Sequence, residues 1–217
     1  MSQLNPQQRE AMRYVAGPLL VLAGAGSGKT SVITRKIAYL IEQCGIPAKA
    51  IASVTFTNKA ATEMKERVGT LVDRSKTKGL TVSTFHQLGL NIIRRETKTL
   101  GFKPGFSILD QDDIAGILKD IALQDAIDPD QVKVVHTLIS QWKGDLVSPE
   151  QAVSIAESGG EMRAAIMYDK YQRLLRAYNA VDFDDLIALP VQLLQNNAEV
   201  RQKWQAKYRY LLVDEYQ

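Results

Sequence analysis

Over the first ninety residues, short apolar runs alternate with stretches whose apolar residues recur every three or four positions. PLLVLA (18–23), IASVTFT (51–57) and LTVSTF (80–85) are rich in aliphatic and β-branched residues, and each has the length of a buried strand. Between the first two, TSVITRKIAYLIEQC brings Ile33, Ile37, Leu40, Ile41 and Cys44 onto one helical face. NKAATEMKERV does the same with Ala60, Met64 and Val68. Strand, helix, strand, helix, strand in this rhythm predicts βαβ units and a parallel sheet.

From Leu88 to about Ala180 the period becomes almost purely helical. Ile114, Ile117, Leu118 and Ile121 share a face, as do Val135, Leu138, Ile139 and Trp142, and then Met167, Tyr171, Leu174, Leu175 and Tyr178. Turn signals at 101–106, 126–130, 147–150 and 157–161 divide this stretch, which reads as an all-helical module of four or five helices. YRYLLVDEYQ (208–217) then returns to an apolar run dense enough for a central strand. The pattern therefore predicts an α/β domain over 1–87 and 180–217, interrupted by a helical inserted domain over 88–179. Within LIALPVQLL, Pro190 is expected to kink or break its helix.

Composition adds little. Apolar residues make up 45% of the 217, charged residues 24%, and the net charge is +3. That charge would mark a nucleic-acid surface only if clustered on one face. One cysteine excludes an internal disulfide framework and suits a reducing cytoplasm. The polar N-terminus and the lack of a long apolar run predict neither a secretory signal nor a membrane span.

The candidate chemistry lies at two strand ends. AGAGSGKT (Ala23, Gly24, Ala25, Gly26, Ser27, Gly28, Lys29, Thr30) has P-loop spacing, follows an expected strand and opens an expected helix. Its glycines let backbone N–H groups turn toward phosphate oxygens, and the helix start adds partial positive charge. In that role Lys29 reaches the β- and γ-phosphates of ATP and the Thr30 hydroxyl ligates Mg2+. LLVDEYQ supplies the partner. A parallel strand delivers Asp214 to the side where ligands of such sheets bind, to hold Mg2+ through water, and Glu215 can orient or deprotonate an attacking water.

The set LNPQQREA, LAGAGSGKT, VTFTNKAA, STFH, DFDDLI and LLVDEYQ, in this order, resembles the N-terminal part of the superfamily 1 DNA helicases of the UvrD/Rep/PcrA type, from Leu4 to Gln217. The resemblance implies a first RecA-like domain with a helical domain inserted into it. It implies that Gln8 reads the adenine edge and that Gln217 helps couple nucleotide to DNA. Ser31 departs from the pattern, because many relatives have a nucleotide-contacting arginine after GKT.

On the DNA side the resemblance assigns Phe56, Thr57, Asn58 and Lys59 to the single-strand channel, Thr84 and His86 to the DNA backbone, and Phe183 to the bases. An exposed strand-to-helix turn with a lysine and an aromatic suits phosphate and base contact. Alternatively, Asn58 caps the following helix, and Asp182 with Asp185 has the spacing of a helix start. The activity implied for the whole protein is ATP-driven 3′ to 5′ movement on single-stranded DNA and opening of single-strand/duplex junctions, with replication or repair proteins as partners. The alternatives are the ATPase subunit of a helicase–nuclease and a nucleotide-switched DNA-binding module without catalysis. The resemblance further implies that the family continues for several hundred residues past DEYQ, through a second RecA-like domain and its arginines, and that the chain is a fragment with little or no ATPase of its own.

Overall fold

The computed structural model describes residues 4–24, 26–125, 127–128 and 131–216. The chain forms two compact units, one of Met1–Leu88 with Glu199–Gln217 and one of Gly89–Ala198. Together they make an α/β protein with a small parallel sheet and many helices.

In the first unit, α1 (Pro6–Arg13) and α2 (Lys29–Glu42) precede β1 (Ile51–Thr55), α3 (Asn58–Leu71) and β2 (Thr81–Thr84). At the end of the chain come α11 (Ala198–Lys207), most of which packs here, and β5 (Tyr210–Val213). The sheet order is β2–β1–β5, with β1 parallel to both neighbours. Side-chain alternation explains how it is covered. Ile51 lies beside Tyr210 and Ser53 beside Leu212, and this face packs under Ile37, Leu40 and Ile41 of α2 and Met64 and Val68 of α3. The Lys36 ammonium ties α2 to the end of α1 by donating to the Ala11 carbonyl at 2.9 Å.

Two strand expectations need correction. PLLVLA has no strand structure; Leu19 to Leu22 are exposed, Leu22 at 88%. An apolar run acquires strand structure only where a ladder and a covering layer receive it, and this one has neither. Likewise β5 is an edge strand among the described residues, and Leu211, on the face opposite α2 and α3, is 58% exposed.

The second unit begins within α4 (Phe85–Arg95) and contains α5 (Thr97–Leu100), β3 (Ser107–Ile108), α6 (Gln111–Gln124), α7 (Val132–Gly144), α8 (Pro149–Ile155), α9 (Gly159–Ala177), β4 (Ala180–Val181) and α10 (Asp185–Asn196). The apolar stripes read from sequence meet in one core around Leu118, Ile139, Met167 and Tyr171. The unit is not purely helical, because β3 and β4 form a short parallel pair. That pair, with α10, groups residues 180–198 with the helices.

Pro190 does not break α10. Its missing N–H leaves the Leu186 carbonyl without its usual helical donor, and that carbonyl faces Gly89. A Cβ on Gly89 would sit 1.8 Å from the Leu186 oxygen and 3.4 Å from Pro190 Cγ. The glycine is there because two backbones meet with no room for a side chain.

Candidate functional site

Parallel pairing puts three chemistry-bearing turns at one edge of the sheet in the first unit, beyond the C-terminal ends of β1, β2 and β5. The glycine loop leads into α2. Gly26 and Gly28 have φ of +74° and +85°, left-handed values open to glycine at little cost. Gly28 is the N-cap of α2, whose first turn carries no acidic residue, so the helix dipole is left for an anion. Space is open where side chains on Gly24 and Gly26 would project. Ala25 lies outside the described residues.

The loop satisfies its own polar groups. Ser27 Oγ donates to the Gly24 carbonyl at 2.6 Å, and Lys29 Nζ donates to the carbonyls of Ala23 and Gly24 at 3.2 and 3.4 Å. Gln8 is engaged at both ends of its amide. Its Oε1 accepts from the Asn5 backbone N–H in a capping box that opens α1, and its Nε2 donates to the Ser27 carbonyl at 2.8 Å. The family resemblance implied that Gln8 reads the adenine edge. It is a first-turn residue whose side chain also touches the phosphate-type loop.

Asp214 comes to this loop from the other end of the chain. Its backbone N–H donates to the Val54 carbonyl at 2.9 Å, extending the ladder one step past β5. The Thr30 hydroxyl donates to Asp214 Oδ2 at 3.4 Å, a long contact. Burial, and then the Glu215 carboxylate beside it, push the Asp214 carboxyl above the usual carboxylate range, against the opposing Thr30 hydroxyl and Lys29. Glu215 is exposed and has φ of +56°, an uncommon backbone for a non-glycine residue. Gln217 lies outside the described residues. A hydroxyl and a carboxylate side by side suit Mg2+, which binds through one or two protein oxygens and otherwise through phosphate and water. Among the described residues no group of three or more His, Cys, Asp or Glu side chains could hold a metal by itself.

The DNA candidates of this unit occupy the neighbouring strand ends. Phe56 is 77% exposed, and Thr57, Asn58 and Lys59 follow it at the exposed start of α3. The cap is Thr57, whose hydroxyl accepts from the Ala60 N–H at 3.1 Å. Asn58, the expected cap, is the first helical residue. Thr84 is buried and its hydroxyl accepts from the Gln87 N–H, so its side chain serves the start of α4, whereas His86 is exposed.

Phe183 belongs to the second unit, where it is 53% exposed on the turn between β4 and α10. Beneath it lies a cluster that sequence reasoning missed. Lys143 Nζ donates to Asp182 Oδ2 at 2.6 Å and to Asp185 Oδ1 at 2.9 Å, with all three side chains buried. The Tyr171 hydroxyl donates to Asp182 Oδ2 at 2.8 Å. Burial opposes charge on both carboxyls and the Lys143 ammonium offsets it; Asp182 ends below the usual carboxylate range and Asp185 above it. The signal was present in the sequence: Lys143 continues the stripe of Val132, Val135 and Ile139 that α7 buries.

No helix among the described residues is long and apolar enough to cross a membrane. Residues 4–217 match the family model described as "UvrD/REP helicase N-terminal domain". The chain is 54% identical over 217 residues to the ATP-dependent DNA helicase Rep of Escherichia coli, covering 99% of this chain and 32% of that protein. It is 44% identical over 213 residues to Rep of Buchnera aphidicola subsp. Baizongia pistaciae, covering 98% of this chain and 32% of that one. With the ATP-dependent DNA helicase UvrD1 of Mycobacterium tuberculosis it shares 43% identity over 220 residues, 99% of this chain and 28% of that protein. The chain thus spans about a third of the length of these relatives. From its phosphate-type loop to its final Asp-Glu strand end, it belongs to the UvrD/REP helicase N-terminal domain family.

Proposed function

We propose that the chain is the nucleotide-binding part of a 3′ to 5′ DNA helicase, a RecA-like domain carrying an inserted helical domain. In the whole protein, ATP hydrolysis would drive movement along single-stranded DNA and the opening of duplex at junctions. The observation that carries this reading is the approach of Thr30 to Asp214, residues 184 positions apart. It supports a shared Mg2+ site at the mouth of the glycine loop.

In this reading Lys29 exchanges its two long carbonyl contacts for phosphate oxygens, and Gln8 releases Ser27 to meet the adenine. Thr30 and Asp214 would hold the metal, whose charge would screen the β- and γ-phosphates. Glu215, exposed next to the acid assigned to the metal, would orient the attacking water. That placement favours a hydrolase over a nucleotide-operated switch. Phe56 and Phe183 offer rings to bases, and Lys59 and His86 offer positive or hydrogen-bonding groups to the DNA backbone.

The test is a thermal melt of the chain with and without Mg2+–ATP. A ligand bound only to the folded state raises the midpoint, by an amount that follows the logarithm of its concentration. The expected result is a clear rise that Lys29→Ala removes. An equal rise in that variant would overturn the assignment.

A further inference from the structure

The turn that carries Phe183 is tied down on both sides of the ring and from beneath. Before it, Val181 is held by the β3–β4 pair, its carbonyl accepting from the Leu109 N–H at 2.9 Å. After it, α10 begins at Asp185. Asp182 and Asp185 hold each other's backbone: the Asp185 N–H donates to Asp182 Oδ1 at 2.9 Å and the Asp182 N–H to Asp185 Oδ2 at 3.3 Å. Asp184 accepts from Ser140 Oγ of α7 at 2.6 Å. Asp182, Asp184 and Asp185 are thus bound by groups of α7, and Asp182 by α9 as well, through Lys143, Ser140 and Tyr171. Among these turn residues Phe183 is the one that is largely exposed.

Stability alone does not account for such a cluster. Desolvating two carboxylates and an ammonium costs about as much as their attraction returns, and apolar replacements of similar volume are often neutral or better. What a buried ion cluster adds is a defined geometry, because each charge accepts only arrangements that keep its partners in reach. Geometry matters most for an exposed aromatic that must meet a flat ligand: a ring already fixed in place loses less freedom on stacking.

We propose that Lys143 is a positioning residue for DNA engagement, which with Asp182, Asp185 and Tyr171 fixes the turn presenting Phe183 so that the ring stacks on a single-stranded base. The proposal rests on the reading of Phe183 as a base contact. Lys143 touches no DNA in this account; it acts through the turn.

The experiment uses the 217-residue chain and a fluorescent oligo(dT), with Phe183→Ala, Lys143→Met, both together, and Tyr171→Phe. Tyr171→Phe removes one hydroxyl and keeps the ion pairs, so it reports even if Lys143→Met folds poorly. Stacking on one aromatic corresponds to about a five- to 160-fold change in affinity. Phe183→Ala should weaken binding within that range and Lys143→Met by a similar factor, with Tyr171→Phe smaller. The double variant should bind no more weakly than Phe183→Ala alone. A fluorine label placed on the Phe183 ring should give one sharp resonance in the parent, without DNA, and broadened or multiple resonances in Lys143→Met and Tyr171→Phe. An unchanged fluorine signal in both, or affinity losses that multiply in the double variant, would overturn the positioning role. Parent-like affinity in Phe183→Ala would overturn the base-contact reading instead, whatever the fluorine signal does.

Discussion

Lys29 and Lys143 carry the same ammonium group in opposite settings. Lys29 is half-buried at the mouth of the glycine loop, and its partners are two neutral carbonyls at 3.2 and 3.4 Å. Lys143 is buried among two carboxylates and a tyrosine ring whose centre lies 5.1 Å away. Carbonyl contacts of that length are weak, and in the proposed function they are the ones exchanged for a phosphate. A buried triplet of charges cannot lose one member without leaving the others unpaired in a dry interior. One lysine is held so that it can exchange partners, the other so that it cannot.

The sharpest way to break the comparison is to remove each charge and measure stability. Lys143→Met should cost about 3–5 kcal/mol, because two buried carboxylates lose their cation. Urea unfolding would show this as a lower midpoint, and adding Asp182→Asn and Asp185→Asn should recover part of the loss. A cost below about 1 kcal/mol would mean that water reaches the cluster and that the contrast is false.

Acid titration gives a smaller, signed effect. Asp182 is held below the ordinary carboxylate value near 3.9. Its stabilising contribution is therefore complete above that value and is lost as the pH falls through its lowered native one. Asp185 is shifted the other way and partly opposes this. Below about pH 4 the parent should lose stability faster than Asp182→Asn. Parallel acid limbs in the two proteins would show that Asp182 is not perturbed.

The smallest effect belongs to Lys29. Without nucleotide, Lys29→Ala should alter the melting free energy by no more than about 0.5 kcal/mol, as for an ordinary surface change. A larger loss would show that its carbonyl contacts are structural, and the two lysines would then differ in degree rather than kind.

What could be read in the sequence follows the same divide between local and distant causes. Helices α6, α7 and α9 and strands β1 and β2 were legible, because their apolar period or β-branched density is written in consecutive residues. The exposed Leu19–Leu22 stretch was not, since its composition is that of a strand and only a partner makes a strand. Pro190 was expected to kink or break its helix, because the glycine facing the carbonyl it leaves without a donor lies about a hundred positions away. The glycine loop and Asp214 stood out in the sequence as motifs, and the fold brings Thr30 of that loop to Asp214. Lys143 showed in the sequence as a lysine on an apolar stripe, but its meaning is fixed only by the two aspartates that reach it from about forty positions away.

The contact between Thr30 and Asp214 also has a meaning in time. Ribosomes make chains from the N-terminus at roughly 5–20 residues per second, and domains fold as units as they emerge. The 184 positions separating the two residues then correspond to roughly ten to forty seconds of synthesis. Until Asp214 is made the glycine loop exists without its carboxylate, and once β2 has emerged β1 has it on one side but not yet β5 on the other. The whole helical unit is made in between. A nascent chain therefore passes through a long stage in which β1 lacks β5, and the arrival of β5 pairs that side of β1 and brings Asp214 to Thr30 in one step.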